Sequence, residues 1–268
     1  TLDMAQLQEI WEAKLEPVYP YRKAGSSVEK LDGSLKAPAA APKIGVAKPK
    51  VIIPVFPGTN CEYDTAHAFA RAGADPEILV IRNLTPADVT ASCEALVKAI
   101  RNSQIVMLPG GFSGGDEPDG SAKFIASFFR SPAVTEAVRD LLQHRDGLML
   151  GICNGFQALI KLGLVPYGDI RPITAYDPTL TFNTIGRHQS MLVRTRIASA
   201  GSPWLSRCAV GDQHTVAISH GEGRFVAPQN VLDELIANGQ VATQYVDLEG
   251  VPTMDQSYNP NGSVLAIE

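Results

Sequence analysis

The run Leu148-Met149-Leu150-Gly151-Ile152-Cys153-Asn154-Gly155-Phe156-Gln157-Ala158-Leu159-Ile160 decides the fold. A short apolar strand enters a Gly-flanked Cys, and helical sequence follows at once, up to Gly163. Such a strand-turn-helix passage has the form of a nucleophile elbow with Cys153 in the place of Ser. The glycines permit the tight turn, and the helix N-terminus behind the sulfur favours a thiolate. The backbone N–H of Asn154 is then placed to face an oxyanion formed at the sulfur's target.

Outward from the elbow, the apolar runs Val51–Phe56, Ile78–Ile81 and Ile105–Leu108 read as further buried strands. Helical sequence separates them at Glu62–Ala72, from Pro86 to about Arg101, and from Lys123 to His144. Thr85-Pro86-Ala87-Asp88 supplies an N-cap, a proline at the first helical position and an acid in the first turn. Strands apolar throughout and alternating with helices predict an α/β fold. Its sheet is open, mostly parallel and flavodoxin-like, with helices on both faces. After about Arg187 the strands alternate instead (Met191–Ile197, Val216–Ser219, Val241–Val246), which predicts a mixed or antiparallel extension.

The flanks read differently. Met4, Leu7, Ile10, Trp11 and Leu15 recur at helical spacing, so residues 1–16 are expected to form an amphipathic docking helix. Residues 17–49 are rich in Pro, Gly, Ser, Lys and Ala and read as a linker; residues 50–268 form the main domain. Ser263–Ile267 reads as a strand with no turn after it. With Thr1 at the start and that strand at the end, the chain is expected to be a piece of something longer.

Ligands of open α/β sheets sit at the carboxyl ends of the strands. Besides the elbow, Leu108-Pro109-Gly110-Gly111-Phe112-Ser113-Gly114-Gly115-Asp116 ends a strand there. Its glycines let backbone N–H groups approach a ligand, and Gly111 is a candidate second oxyanion donor. Ser113 fits G-x-S-x-G, but the glycines and prolines after it start no helix, so it fails as a rival nucleophile. Phe56–Glu62 reads as a Gly turn with a cap at Thr59 or Asn60. His220, at a strand end in Ile218–Phe225, is the best-placed of five histidines for a base, and the residues alone leave that role open.

Composition narrows the class. Apolar residues make up 45%, charged residues 19%, and the formal net charge is −5, which excludes a strongly basic nucleic-acid binder. No apolar run approaches the roughly 20 residues that cross a bilayer. Four widely spaced cysteines (61, 93, 153 and 208) offer no CxxC pair for zinc and suit a reducing, cytoplasmic compartment. No phosphate-binding G-x-x-x-x-G-K-[ST] is present.

Phe56–Asp64 (FPGTNCEYD), Leu108–Asp116 (LPGGFSGGD), Gly151–Gln157 (GICNGFQ), Ile218–Phe225 (ISHGEGRF) and Asn259–Ser263 (NPNGS) occur in this order. Together they resemble the class I glutamine amidotransferase portion of phosphoribosylformylglycinamidine synthases, in the large single-chain form. The resemblance spans about Val51 to Glu268 and implies the class I glutamine amidotransferase fold and glutamine hydrolysis by a Cys-His-Glu triad. It implies Cys153 as nucleophile, Gly111 and Asn154 as the oxyanion hole, and Gly110, Phe112 and Gln157 around bound glutamine. No cofactor is expected in this chain. Its partner would be a synthase portion holding the ATP, Mg²⁺ and formylglycinamide ribonucleotide sites and receiving the ammonia.

Two departures stand out. The family's His and Glu lie shortly downstream of NPNGS, beyond Glu268, so the piece is expected to be weak or inactive. Missing acid–base help alone costs on the order of 100- to 10,000-fold. Arg187-His188-Gln189-Ser190 also replaces an aromatic-acidic pair common in relatives. Two other readings compete: a Cys-elbow hydrolase using His220, and a non-catalytic docking module of a synthase.

Overall fold

A computed structural model of the chain describes residues 2–18, 25–33, 45–113 and 122–267. The chain divides into two compact units, residues 40–180 and residues 1–39 with 181–268.

The first unit is the parallel α/β layer. Its strands are β1 (Lys50–Val55), β2 (Asp75–Val80), β3 (Ile105–Leu108) and β4 (Leu148–Gly151), in the order β2-β1-β3-β4, with all three pairings parallel. The crossovers carry α2 (Glu62–Arg71) and α3 (Pro86–Asn102), then α4 (Lys123–Phe129) and α5 (Pro132–Arg139). Every residue of β3 is buried, as are Val51, Ile52 and Ile53 of β1, so both faces of the central strands are covered. That burial is why these runs show no polar alternation. The face presenting Ile52, Val106 and Leu108 packs with Leu96 and Ile100 of α3, Ile125 and Phe129 of α4, and Val134 of α5. Each such fully buried side chain contributes about 1.5–3 kcal/mol of apolar transfer.

Helix α3 starts as its sequence dictates: the Thr85 hydroxyl accepts from Asp88 N and the Asp88 carboxylate accepts from Thr85 N, a complete capping box. The helical Lys123–His144 stretch is broken at Pro132, which cannot continue the ladder of α4; α5 starts there and runs into a π turn at Asp140–His144. One expectation is corrected. The residue capping α2 is Cys61, without a side-chain capping bond to the helix, while the Thr59 hydroxyl instead accepts from Phe56 N within the preceding turn. After β4 come α6 (Asn154–Leu162) and the single turn α7 (Leu164–Tyr167), with Gly163 in the left-handed region between them.

Past the short β5 (Thr179–Thr181), the second unit is built on a separate antiparallel sheet. Strand β6 (Gln189–Ile197) pairs on one side with β7 (Gln213–His220) and on the other with β9 (Thr243–Val246). Along β7 only Ile218 is buried, the one-sided burial of an antiparallel strand. Val193, Ile218, Tyr245 and Ala266 form its small core, and β8 (Arg224–Val226) and α8 (Gln229–Ala237) complete the elements.

The flanks carry two observations. Helix α1 (Met4–Ala13) forms with Asp3 as its cap, yet none of its residues is buried; Trp11 is 81% exposed. Residues 25–33, inside the stretch read as a linker, are bound into the second unit. Val28 N donates to Pro252 O (2.9 Å), Gly33 N donates to Ala198 O (2.7 Å), and Leu31 is buried. Backbone pairing of an extended segment needs no apolar periodicity, so the sequence carried no sign of it. The remainder of that stretch, residues 19–24 and 34–44, lies outside the described residues. The expected strand at Ser263–Ile267 is instead a tight turn over Val264–Ala266, with Leu265 and Ala266 at φ of 51° and 56°.

Candidate active site

Strand β4 ends at Gly151, and α6 begins at Asn154. Between them Cys153 adopts φ 55°, ψ −112°, a conformation L-residues avoid and one that costs on the order of 1–3 kcal/mol. The hydrogen bond from Ile152 N to Leu108 O (3.1 Å) extends the β3–β4 ladder up to the turn, and Gln157 N donates to Cys153 O (3.0 Å) to start the helix. The elbow is therefore held on both sides, and the Cys153 side chain is exposed. Gly155 permits the arrangement, because a Cβ there would overlap the Leu108 carbonyl oxygen. The side chain also stands at the N-terminus of α6.

The loop after β3 lies beside the elbow. Gly111 forms an antiparallel bridge with Thr59, through Phe112 N donating to Gly58 O (2.8 Å) and Asn60 N donating to Gly110 O (3.4 Å). In a pair bonded this way, the central residues' own N–H groups point away from the partner strand. The Gly111 N–H thus takes no part in the bridge. Gly111 has φ 137°, and a Cβ on it would stand 2.6 Å from Gly58 O, so the loop before α2 holds the Gly111 backbone in this pose. Asn154 stands in the first turn of α6, where backbone N–H groups point outward from the helix start.

A hydrogen-bonded strut links these two loops. Ser113 Oγ donates to Asn154 Oδ1 (2.6 Å), Ser113 N donates to the same oxygen (3.3 Å), and Asn154 Nδ2 donates to Gln157 Oε1 (3.0 Å). Ser113 and Asn154 are almost fully buried, which removes Ser113 as a nucleophile and makes it a support. Phe112, by contrast, is half exposed beside it.

Cys61 adjoins the elbow as well. A methyl group built on Gly110 would stand 3.4 Å from both the Cys61 Sγ and the Cys153 Cβ. Burial raises the Cys61 thiol's pKa, and the Cys153 sulfur, Asp64 and Glu62 push it in the same direction.

The structure thus gathers Cys153, Asn154, Gln157, Gly110, Gly111 and Phe112 at the carboxyl ends of β3 and β4. The Ser113–Asn154 strut and the second thiol were not foreseen. Both lie inside quoted motifs, but nothing in a linear reading pairs residues 41 positions apart. His220 belongs to the other unit, where it closes β7; burial lowers its imidazole pKa and Nδ1 is buried without a hydrogen-bond partner. His188, in the departing Arg187–Ser190 segment, shares a hydrogen bond with Ser219 Oγ (2.9 Å). Among the described residues, no group of three or more His, Cys, Asp or Glu could hold a metal ion, and no helix is long and apolar enough to cross a membrane.

Comparison with known proteins completes the description. The model of the CobB/CobQ-like glutamine amidotransferase domain matches residues 48–268. The phosphoribosylformylglycinamidine synthase subunit PurQ of Rubrobacter xylanophilus is 34% identical over 80% of this chain and 78% of its own. PurQ of Salinibacter ruber is 36% identical over 80% of this chain and 77% of its own. Among solved structures, a chain of PurLQS from Thermotoga maritima aligns with TM-score 0.55 and 25% identity, covering 82% of this chain and 80% of its own.

Proposed function

Because the chain belongs to the CobB/CobQ-like glutamine amidotransferase family, we propose that it is the glutaminase component of a phosphoribosylformylglycinamidine synthase, acting in purine biosynthesis. The observation that carries the chemistry is Cys153, held at positive φ and exposed at the start of α6 beside the Gly110–Gly111 loop. Its thiolate attacks the carboxamide carbon of glutamine, and the oxyanion that forms takes hydrogen bonds from Gly111 N–H and Asn154 N–H. Collapse of the tetrahedral intermediate, with one proton taken up by the departing nitrogen, expels ammonia and leaves a glutamyl thioester on Cys153; water then cleaves the thioester to glutamate and the free Cys153 thiol. Gly110, Phe112 and Gln157 line the place of the substrate, with Gln157 oriented by Asn154 Nδ2.

The partner in this reading is the synthase component, which accepts the ammonia and holds ATP, Mg²⁺ and the formylglycinamide ribonucleotide; this chain itself needs no cofactor. The PurQ relatives are named as subunits. We read this chain as the same module joined to its synthase in one polypeptide, with α1 as the piece that docks. The support is that α1 precedes the matched region and presents Met4, Ile10 and Trp11 to solvent. The compartment is the cytoplasm. A hydrolase based on His220 and a purely docking module are not favoured, since family and elbow agree on glutamine.

The test is Cys153→Ala in the complex with the synthase component. Glutamine-dependent synthesis falls by more than about 1,000-fold, while synthesis from added ammonium salt continues. Surviving glutamine use removes Cys153 as the nucleophile; loss of both activities removes the division of labour.

A further inference from the structure

Cys61 takes no part in glutamine chemistry as described, yet it shares the nucleophile's surroundings. The Cys61 Sγ and the Cys153 Cβ are each 3.4 Å from the point where a Gly110 side chain would begin, so they are separated by no more than twice that distance. Gly110 leaves the space between them empty of side chain. Both sulfurs are free thiols, one exposed and one half-buried. Cys61 is the residue before α2, on the loop that bridges to Gly111, and its S–H donates to Asn60 Oδ1 at 3.1 Å.

We propose that Cys61 is a resolving thiol for Cys153: on exposure to a peroxide the two form an intramolecular disulfide that closes the nucleophile reversibly. In the first step the Cys153 thiolate attacks one peroxide oxygen. The O–O bond breaks, and Cys153 becomes a sulfenic acid as the other oxygen leaves as hydroxide, which takes up a proton to form water. In the second step the Cys61 sulfur attacks the sulfenic sulfur. The S–S bond forms, the S–O bond breaks, and the departing hydroxide takes the Cys61 proton as a second water. Overall one peroxide is reduced and two thiols are oxidised.

The division of roles follows from the surroundings. Cys153 is exposed at the start of α6, so peroxide reaches it first. Cys61 is half-buried, and burial together with the Cys153 sulfur, Asp64 and Glu62 raises its thiol pKa, so it is the slower of the two to be oxidised directly. Bond formation requires the Cβ atoms to approach roughly 4 Å. The loop that carries Cys61 is joined to Gly110 by a long hydrogen bond, Asn60 N to Gly110 O at 3.4 Å. Without a resolving thiol, the sulfenic acid proceeds to sulfinic acid, which dithiols do not reverse.

This goes beyond glutamine hydrolysis and needs only the thiol pair, so it stands or falls separately from the assigned activity. The chain is treated with hydrogen peroxide, remaining thiols are alkylated, and the digest is read by mass spectrometry before and after dithiothreitol. The expected product is a cross-linked peptide pair carrying Cys61 and Cys153 that is short of two hydrogens and disappears on reduction. In Cys61→Ser, and in Cys61→Ala as a second variant, Cys153 accumulates as sulfinic acid, and the thiol recovered by dithiothreitol drops several-fold. Linkage through Cys93 or Cys208, an unlinked wild type, or equal sulfinic acid in wild type and variants overturns the proposal. The peptide map of the wild type decides even where a variant folds poorly.

Discussion

A hydrogen bond of 2.6 Å from Ser113 Oγ to Asn154 Oδ1 spans 41 positions of chain and ties the loop after β3 to the first turn of α6. Its value to the site is positional. In the proposed mechanism Asn154 offers its backbone N–H to the developing oxyanion, and its Nδ2 donates to Gln157 Oε1, so a rotation of this one side chain would disturb the glutamine pocket. A net intramolecular hydrogen bond contributes about 1 kcal/mol, and the deletion of one partner in a buried place costs about 1–3 kcal/mol. Ser113→Ala keeps the weaker bond from Ser113 N at 3.3 Å, so the lower end applies. The expected outcome is a loss of about 1–2 kcal/mol in urea unfolding, with Cys153 still labelled by a glutamine-mimicking diazo ketone. Labelling that vanishes with the serine would restore Ser113 to the chemistry and remove it as a strut.

The segment Asn259-Pro260-Asn261-Gly262-Ser263, quoted above as a family motif, works in the structure as a buried pin. Asn261 Nδ2 donates to Gly223 O (2.8 Å) and to Tyr245 Oη (3.1 Å). Its Oδ1 accepts from Ser263 Oγ (2.7 Å), whose oxygen in turn accepts from Phe225 N (3.0 Å). One side chain thus joins β9, the start of β8 and the C-terminal turn. Asn261→Ala strands several buried groups together, and the second unit is expected to lose roughly 3–5 kcal/mol, read as an earlier urea transition; a shift under about 1 kcal/mol would mean that water replaces the bonds. The same network explains what the sequence concealed. Val264–Ile267 is apolar and looks like a strand, but Asn259 Oδ1 accepts from both Gly262 N and Ser263 N, which commits that backbone to a turn. By contrast, β1, β3, the elbow and the start of α3 were legible, because burial on both faces, flanking glycines and a capping box are local signatures. The Ser113 strut and the Asn261 pin were not legible because their partners lie far along the chain, Asn154 for one and Gly223 for the other, while the C-terminal turn rests on a side-chain acceptor that apolar patterning does not show.

At the scale of the whole chain, the second unit is discontinuous: residues 25–33 belong with residues 181–267, and the entire parallel layer is inserted between them. This makes two cuts near the N-terminus unequal. Removal of residues 2–18 takes away α1, which buries nothing, so the unfolding midpoint is expected to stay within about 2 °C. Removal of everything before Lys48 also takes away Leu31, whose N–H donates to Gln244 Oε1 (2.9 Å), and Glu29, whose carbonyl accepts from Gln244 Nε2 (3.1 Å). Gln244 is fully buried and keeps only Leu265 O on its amide. Arg196, itself 3% exposed, loses both the Leu31 carbonyl and the Asp32 carboxylate. An uncompensated buried charge costs roughly 3–5 kcal/mol, here an upper bound because Asp32 is half exposed and already screened by water. The longer cut is therefore expected to lower the second unit's stability by about 3 kcal/mol or more, with the urea transition splitting in two as the parallel layer outlasts it. If both cuts leave one unchanged transition, residues 25–33 are a true linker, and the compositional reading of that stretch is the correct one.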